Sequence, residues 1–388
     1  MASEKRESIW TWNFTVLCIM NFVAYLGQTA INSLMQIHMD NMNATATVTG
    51  VVIGLASGAA LLMRPIAGSV IDGARKKRLL LICVLLFTIA VFGYAASTTV
   101  WLTIVFRIVY GIGMGFFGAL DLTMATDALP QSRIASGIGF FSLVAVAGQA
   151  LGPMICISAA EKWGVRFAFI LAGIFLTAGF VIGLLLRYPK EQDRKMEISV
   201  KGAFAKEALI PGFLMFLLIS AGSSIMSFLV LFAAEKGVTG VSGFYGVNAV
   251  VLLLIRPFVG RISDRYGVVR IIFPTLAIFA VHMLLMPQMK STAMLYLMAV
   301  LYSLGYGTAY PSLQALCMKL TPENKRGAGT NTFYLFFDLG LFVGPIVAGW
   351  LKDLAGFDSM FMWMVAYLVI SAVVLFIWLR KHPENRTV

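Results

Sequence analysis

The sequence predicts an all-α membrane protein, with twelve transmembrane helices arranged as two pseudo-symmetric six-helix bundles. Three observations predict it. Of the 388 residues, 59% are hydrophobic and only 12% are charged. A soluble domain carries about 25% charged residues, and half that share leaves too few polar side chains to cover a surface in water. The mean hydropathy of +0.86 agrees. Second, the chain divides into apolar runs near the length of about 20 residues that a helix needs to cross the hydrocarbon layer. Third, one set of residues recurs at a fixed separation of 192. A soluble enzyme, a disordered chain and a collagen-like fibre are excluded.

Ten spans contain no Asp, Glu, Lys or Arg: residues 9–39, 41–63, 79–106, 134–160, 167–186, 208–234, 237–255, 271–289, 291–318 and 359–379. Two more carry isolated charges: 101–124 with Arg107 and Asp121, and 331–351 with Asp338. The first run is too long for the apolar core of a signal peptide, and eleven spans follow it, so it is read as a helix. The longest connection holds Lys190, Glu191, Asp193, Arg194, Lys195 and Glu197. It reads as a cytoplasmic linker, 188–207, between an N-terminal bundle, 1–187, and a C-terminal bundle, 208–388. The other loops are too short for a soluble catalytic domain, so no enzyme is expected.

Positive charge sets the expected orientation. With the N-terminus inside, the termini and the loops on their side hold 22 of the 30 Lys and Arg, against five on the other side. Cytoplasmic loops concentrate Lys and Arg, so both ends are expected in the cytoplasm. The same rule explains the net charge of +12, and no nucleic-acid partner is expected. Cys18, Cys83, Cys156 and Cys317 all fall inside apolar runs and read as small hydrophobes. Neither a metal nor a cofactor is expected. A G-x-x-x-x-G-K-[ST] motif for nucleotide binding does not occur.

The repeat organises the motifs. Arg64-Pro65-x-x-Gly68-x-x-x-Asp72 recurs as Arg256-Pro257-x-x-Gly260-x-x-x-Asp264. The same separation relates Tyr110 to Tyr302, Gly113 to Gly305, Gly148 to Gly340, Gly152 to Gly344, Pro153 to Pro345 and Gly164 to Gly356. Parallel repeats of this kind carry the substrate site at the interface of the halves, near the midplane. With these residues in view, the chain resembles the major facilitator superfamily over essentially its whole length. Gly68-x-x-x-Asp72-Gly73-x-Arg75-Lys76-Lys77 after the second span, and Gly260-x-x-x-Asp264-Arg265-x-Gly267 after the eighth, carry the resemblance. Arg107-x-x-x-Gly111-x-Gly113-x-Gly115 is similar to the family's motif in the fourth helix. Gly148-x-x-x-Gly152-Pro153 is similar to that of its twelve-helix drug–proton antiporter branch.

Candidate residues follow. Gly68, Asp72, Arg75, Asp127, Gly260, Asp264 and Arg265 are read as a cytoplasmic gate, with Asp72 facing the start of the eleventh helix and Arg75 pairing with Asp127. Gly148, Gly152, Pro153, Gly340, Gly344 and Pro345 serve packing, hinge motion or both. Arg107, Tyr110, Met114, Phe117 and Asp121 share one face of the fourth span by the 3.6-residue period. Arg107 and Asp121 stand about 21 Å apart along it and cannot pair. Arg107 then needs a carbonyl, water or an anionic substrate group, while Asp121 forms a bridge to Arg64 or Arg75 or carries a proton. Asp338 has no cation near it in sequence; it is read as a second proton-coupling candidate, or as bridged to Arg256. Asn21, Tyr25, Gln28 and Asn32 line one face of the first span, with Gln149, Ser224, Tyr302 and Tyr306 on others. The resemblance implies that the first, fourth, seventh and tenth helices line a cavity. The aromatic residues and Met114 suit an amphipathic solute.

The expected protein is a monomeric secondary transporter of the bacterial inner membrane. It works by alternating access and moves small organic, drug-like compounds outward against protons. An alternative is proton-coupled transport of a specific polar metabolite such as a sugar, organic anion or metallophore. One departure weighs on the first reading: the first span carries Asn and Gln where many drug–proton antiporters have an acid.

Overall fold

The computed structural model describes residues 8–73, 75–187, 204–322 and 325–382, except the side chains of 68–73, 132, 135, 256–257, 260–261 and 263–266. The expected linker falls mostly outside these residues. So do the side chains of Gly68, Asp72, Gly260, Asp264 and Arg265 in the expected gate.

Among the described residues the chain forms twelve long helices. They are α1 (Trp12–Asn41), α2 (Ala46–Gly73), α3 (Lys76–Ala96), α4 (Val100–Asp127), α5 (Ile134–Trp163) and α6 (Val165–Leu184). The second six begin with α7 (Leu209–Glu235), α8 (Val241–Tyr266), α9 (Val268–Leu285) and α10 (Thr292–Leu320). Arg326–Lys381 then divides at Gly356, where the backbone leaves helical geometry, into α11 (326–355) and α12 (357–381). Side-chain oxygens mark several starts. Thr11 accepts from the Phe14 N–H, Thr99 from Leu102 and Ser291 from Met294, each relieving an orphan amide of a first turn.

Two boundaries differ from the sequence expectation. The apolar stretch 79–106 is interrupted by a turn at Ser97–Thr99, because the Thr99 hydroxyl caps α4 while Ser97 ends α3. The first span consists of two pieces, Trp12–Gln28 and Ile31–Asn41, offset at Thr29–Ala30. The Thr29 hydroxyl donates to Tyr25 O at that offset (2.8 Å), the back-bonding that bends helices. The repeat is visible in the backbone as well. Gly164 and Gly356, one separation apart, hold φ of 86° and 79° between α5 and α6 and between α11 and α12. Only glycine adopts that region without strain.

Buried apolar side chains sort into two clusters. One runs from Phe14 to Leu186; the other holds residues of 205–379 together with Ala46 and Ile157. Small residues bring the two bundles together. Gly50, Gly54 and Gly58 recur every four residues along α2 and lie against Pro345 and Phe342 of α11. A Cβ at Gly349 would collide with the Ala46 carbonyl. Backbones approach this closely only where side chains are absent. Gly148 and Gly152 press α5 onto Phe22, Tyr25 and Leu26 of α1, and Gly340 and Gly344 press α11 onto Phe216, Ile219 and Ser220 of α7. The motif glycines therefore pack equivalent helix pairs in the two bundles.

Candidate functional site

Among the described residues three charged side chains, Asp338, Asp121 and Arg107, are buried inside the helical layer, and the partners of the two acids are ones that sequence spacing did not identify. Asp338 of α11 accepts from Arg64 Nε of α2 at 2.6 Å, with 1% of the Asp338 side chain exposed and 14% of Arg64. The Arg64 guanidinium also stands 5.4 Å from the centre of the Tyr334 ring. The sequence reading gave Asp338 as a proton carrier or as bridged to Arg256, and offered Arg64 or Arg75 to Asp121. The structure corrects both pairings, because α2 and α11 cross where the glycine ladder brings them together.

Asp121 of α4 is 3% exposed. Its Oδ2 accepts from Asn21 Nδ2 of α1 at 2.8 Å, and its Oδ1 has no partner among the described residues. No Lys or Arg among them lies within ion-pairing distance. The polar stripe of α1 thus supplies an amide to a carboxyl on α4.

Arg107 differs again. It is 1% exposed, and its Nε donates to Val52 O at 3.0 Å. Its Nη2 donates to Ile53 O at 2.9 Å and to Asn32 Oδ1. The face of Tyr110 covers it at 5.5 Å. Of the alternatives open in the sequence, helix carbonyls take this guanidinium. Arg107 fastens α4 to α1 and α2.

The remaining expected cavity residues divide into lining and core. Tyr25 of α1, Tyr306 and Tyr310 of α10 and Tyr334 of α11 are half-buried, and the rings of Tyr310 and Tyr334 both pack edge-on against Phe337. Gln314 Nε2 donates to the Tyr334 hydroxyl at 3.3 Å. These tyrosines come from both bundles. Gln28, Asn32 and Met114 are half-buried and Gln149 is exposed. Tyr302 is buried and stacks on Tyr306 at 4.9 Å while packing on Phe244 and Phe279. Tyr110 is buried against Phe87, its hydroxyl donating to Gln28 O at 3.3 Å. Ser224 is buried and donates to Ala221 O of its own helix. Helical periodicity gave these residues their faces but not what those faces meet.

At the terminal side Asp127 accepts from Lys76 Nζ at 2.6 Å, where the sequence reading named Arg75. Lys77 Nζ donates to Leu184 O and Leu186 O, closing the end of α6. On the opposite side the bundles are latched together. Ala46 N and Thr47 N at the start of α2 donate to the Asp353 carboxylate of α11 at 3.1 and 2.7 Å, and the Thr47 hydroxyl donates at 2.7 Å. Gln36 Oε1 accepts from Val230 N and Leu231 N, and Ser33 shares a 2.8 Å hydrogen bond with the Tyr245 hydroxyl. Glu161 of α5 approaches the Ser242 amide at the start of α8. Glu161 and Asp353 stand one repeat separation apart, so both bundles use an acid at a helix end against the start of a helix in the other. The sequence reading missed this latch, although the repeat and the Gly50-x-x-x-Gly54-x-x-x-Gly58 spacing both pointed to it.

A layer of twelve helices in two bundles, with charges buried between and within them, defines a secondary transporter. The profile of the Major Facilitator Superfamily matches residues 17–330 and 213–388, and the chain belongs to that family. Staphylopine export protein of Staphylococcus aureus is 24% identical to it over 390 residues, spanning 95% of this chain and 96% of that protein. Multi-drug resistance efflux pump PmrA of Streptococcus pneumoniae is 25% identical over 381 residues, spanning 92% and 93%. Among solved structures, the nucleoside transporter NupG superposes with a TM-score of 0.80 at 16% identity, over 95% of this chain and 99% of that one. An inward-facing, unoccupied bacterial homolog of the human lysosomal transporter Spinster gives 0.76 at 14%, over 97% and 98%. At such identities the solved structures speak for the fold alone.

Proposed function

We propose that this protein exports small organic, drug-like or amphipathic compounds by alternating access, coupled to protons moving the other way. Residues 1–187 and 208–388 form the bodies that rock, and 188–207 links them. The membrane is a bacterial inner membrane with both termini cytoplasmic, in keeping with the distribution of Lys and Arg. The observation that carries the coupling is Asp121, buried in α4 beside an amide and without a cation among the described residues. Ionisable residues so deep in a membrane protein are costly to insert, and they commonly form proton relays. Asp338 is the second carboxyl, held by Arg64 across the bundle interface. Similarity to PmrA supports export of drug-like compounds. The latch through Asp353, Gln36 and Ser33 suits a state closed on the external side. Asp72 and Asp264, with Arg75 and Arg265, would take over when the cytoplasmic side closes.

The test is transport in liposomes loaded with a pH-sensitive dye. Amphipathic compounds should drive proton movement opposite to their own, and Asp121→Asn should abolish the coupled proton flux. Intact coupling in both Asp121→Asn and Asp338→Asn overturns the assignment.

A second reading, proton-coupled transport of a polar metabolite such as a metallophore, a sugar or an organic anion, draws on one relative, the staphylopine export protein. Proton movement in the same direction as the solute would favour uptake of such a metabolite.

A further inference from the structure

We infer that Arg64 is the anion-recognising residue of the space between the bundles, and that the transported compounds carry a carboxylate. The inference deepens the proposed function by naming a chemical class, and it rests on the reading of that space as the substrate cavity.

Arg64 and Arg107 are both guanidinium groups inside the helical layer, but their surroundings differ. Arg107 is closed off: two carbonyls of α2 and Asn32 accept from its Nε and Nη2, its Nη1 is buried without a hydrogen-bond partner among the described residues, and 1% of it is exposed. Arg64 gives one of its five N–H groups to Asp338, through Nε at 2.6 Å. Among the described residues the Nη1 and Nη2 edge takes no protein acceptor, and the side chain is 14% exposed. That edge is the fork that binds a carboxylate through two parallel hydrogen bonds.

The neighbourhood fits a small organic anion. The guanidinium lies over Tyr334, 5.4 Å from the ring centre. The Tyr334 hydroxyl accepts from Gln314, its ring packs on Phe337 with that of Tyr310, and Tyr25 and Tyr306 lie within electrostatic range of the Tyr310 hydroxyl. A carboxylate on the Arg64 edge would thus have phenol hydroxyls and aromatic faces from both bundles around the rest of the molecule.

Asp338 has a defined part in this arrangement. It occupies Nε and compensates the Arg64 charge while the cavity is empty, so it competes with an incoming anion for the same cation. Neutralising Asp338 leaves the fork in place and strengthens its hold on the substrate carboxylate. Asp338 is therefore a positioning and competing group, and Arg64 is the residue that touches substrate.

The experiment uses the full chain in detergent and a fragment library of mono- and dicarboxylates, each paired with its carboxamide, plus inorganic phosphate. Dissociation constants are measured by microscale thermophoresis. Carboxylates should bind about tenfold or more tightly than their amides, the ratio for one charge-assisted hydrogen bond. Arg64→Gln should erase the preference and Arg64→Lys should keep only part of it, since an ammonium has no planar fork. Asp338→Asn should tighten carboxylate binding without changing amide binding, a response that a purely structural ion pair would not give. Equal binding of acids and amides, a preference that survives Arg64→Gln, or equal weakening of both by Asp338→Asn overturns the assignment. Arg64-dependent binding of phosphate in preference to every carboxylate overturns the carboxylate class. Liposome transport separates this from the proposed function. Arg64-dependent carboxylate binding without proton-coupled flux keeps the assignment and sinks that function. Coupled export of amphipathic cations with no acid preference does the reverse.

Discussion

Replacing Asp353 by Asn should open the side of the molecule away from the termini. The carboxylate accepts the Ala46 and Thr47 amides and the Thr47 hydroxyl, at 3.1, 2.7 and 2.7 Å. Hydrogen bonds to a charged group contribute about 1.5–3 kcal/mol in favourable settings, and a negative charge at a helix start adds about 0.3–1 kcal/mol. Three effects reduce the loss. The side chain is 28% exposed and Lys352 Nζ sits 3.9 Å from it, and an asparagine oxygen still accepts one of the bonds. A net change of about 1–2 kcal/mol remains, which shifts the ratio of open to closed forms roughly 5- to 30-fold. Ser33→Cys reports it, because Ser33 is buried on this side beside Tyr245, and the reporter's own loss of the Tyr245 hydrogen bond is common to both chains compared. The four native cysteines are buried and are replaced by alanine or serine in the background. A membrane-impermeant maleimide should label the reporter faster in Asp353→Asn by that ratio. Unchanged labelling would refute the latch, since nothing else in the substitution alters the path to Ser33.

Gly50→Val should raise labelling of the same reporter, because a Cβ there meets the Pro345 carbonyl, while Gly118→Ala, with open space around it, should not. Arg107→Gln should lower thermal stability by about 1–3 kcal/mol, leaving carbonyls of α2 short of a donor, without altering which solutes bind. A thermal scan beside a binding assay checks it, and altered selectivity at full stability would count against the fastening role. Gly356→Ala and Gly164→Ala should each cost about 1–2 kcal/mol through the left-handed backbone at those corners, read as a lower unfolding temperature.

Much of the fold was legible in the chain because the bilayer imposes a length and a polarity on every segment. Spans, the repeat and the corner glycines all follow from local composition and spacing. The breaks at Thr29–Ala30 and Ser97–Thr99 escaped because hydroxyl back-bonding and capping act within runs that stay apolar on average. The faces of Tyr25, Asn21 and Asp121 were readable from the 3.6-residue period; their partners were not.

The sequence by itself determined that this is a two-bundle helical membrane protein of twelve spans, and which few charges lie inside them. Only the tertiary structure decided what those charges do. Arg64 and Asp338 are 274 residues apart, and Asn21 and Asp121 are 100 apart. Helical periodicity fixes the direction of a side chain about its own axis. Pairing depends also on which helices adjoin and on their relative height in the layer, and those follow from close packing of glycines such as Gly50, Gly54 and Gly58 against another helix. That packing joined Arg64 to Asp338 across the bundle interface, gave Asp121 an amide in place of a cation, and left Arg107 to the carbonyls of α2.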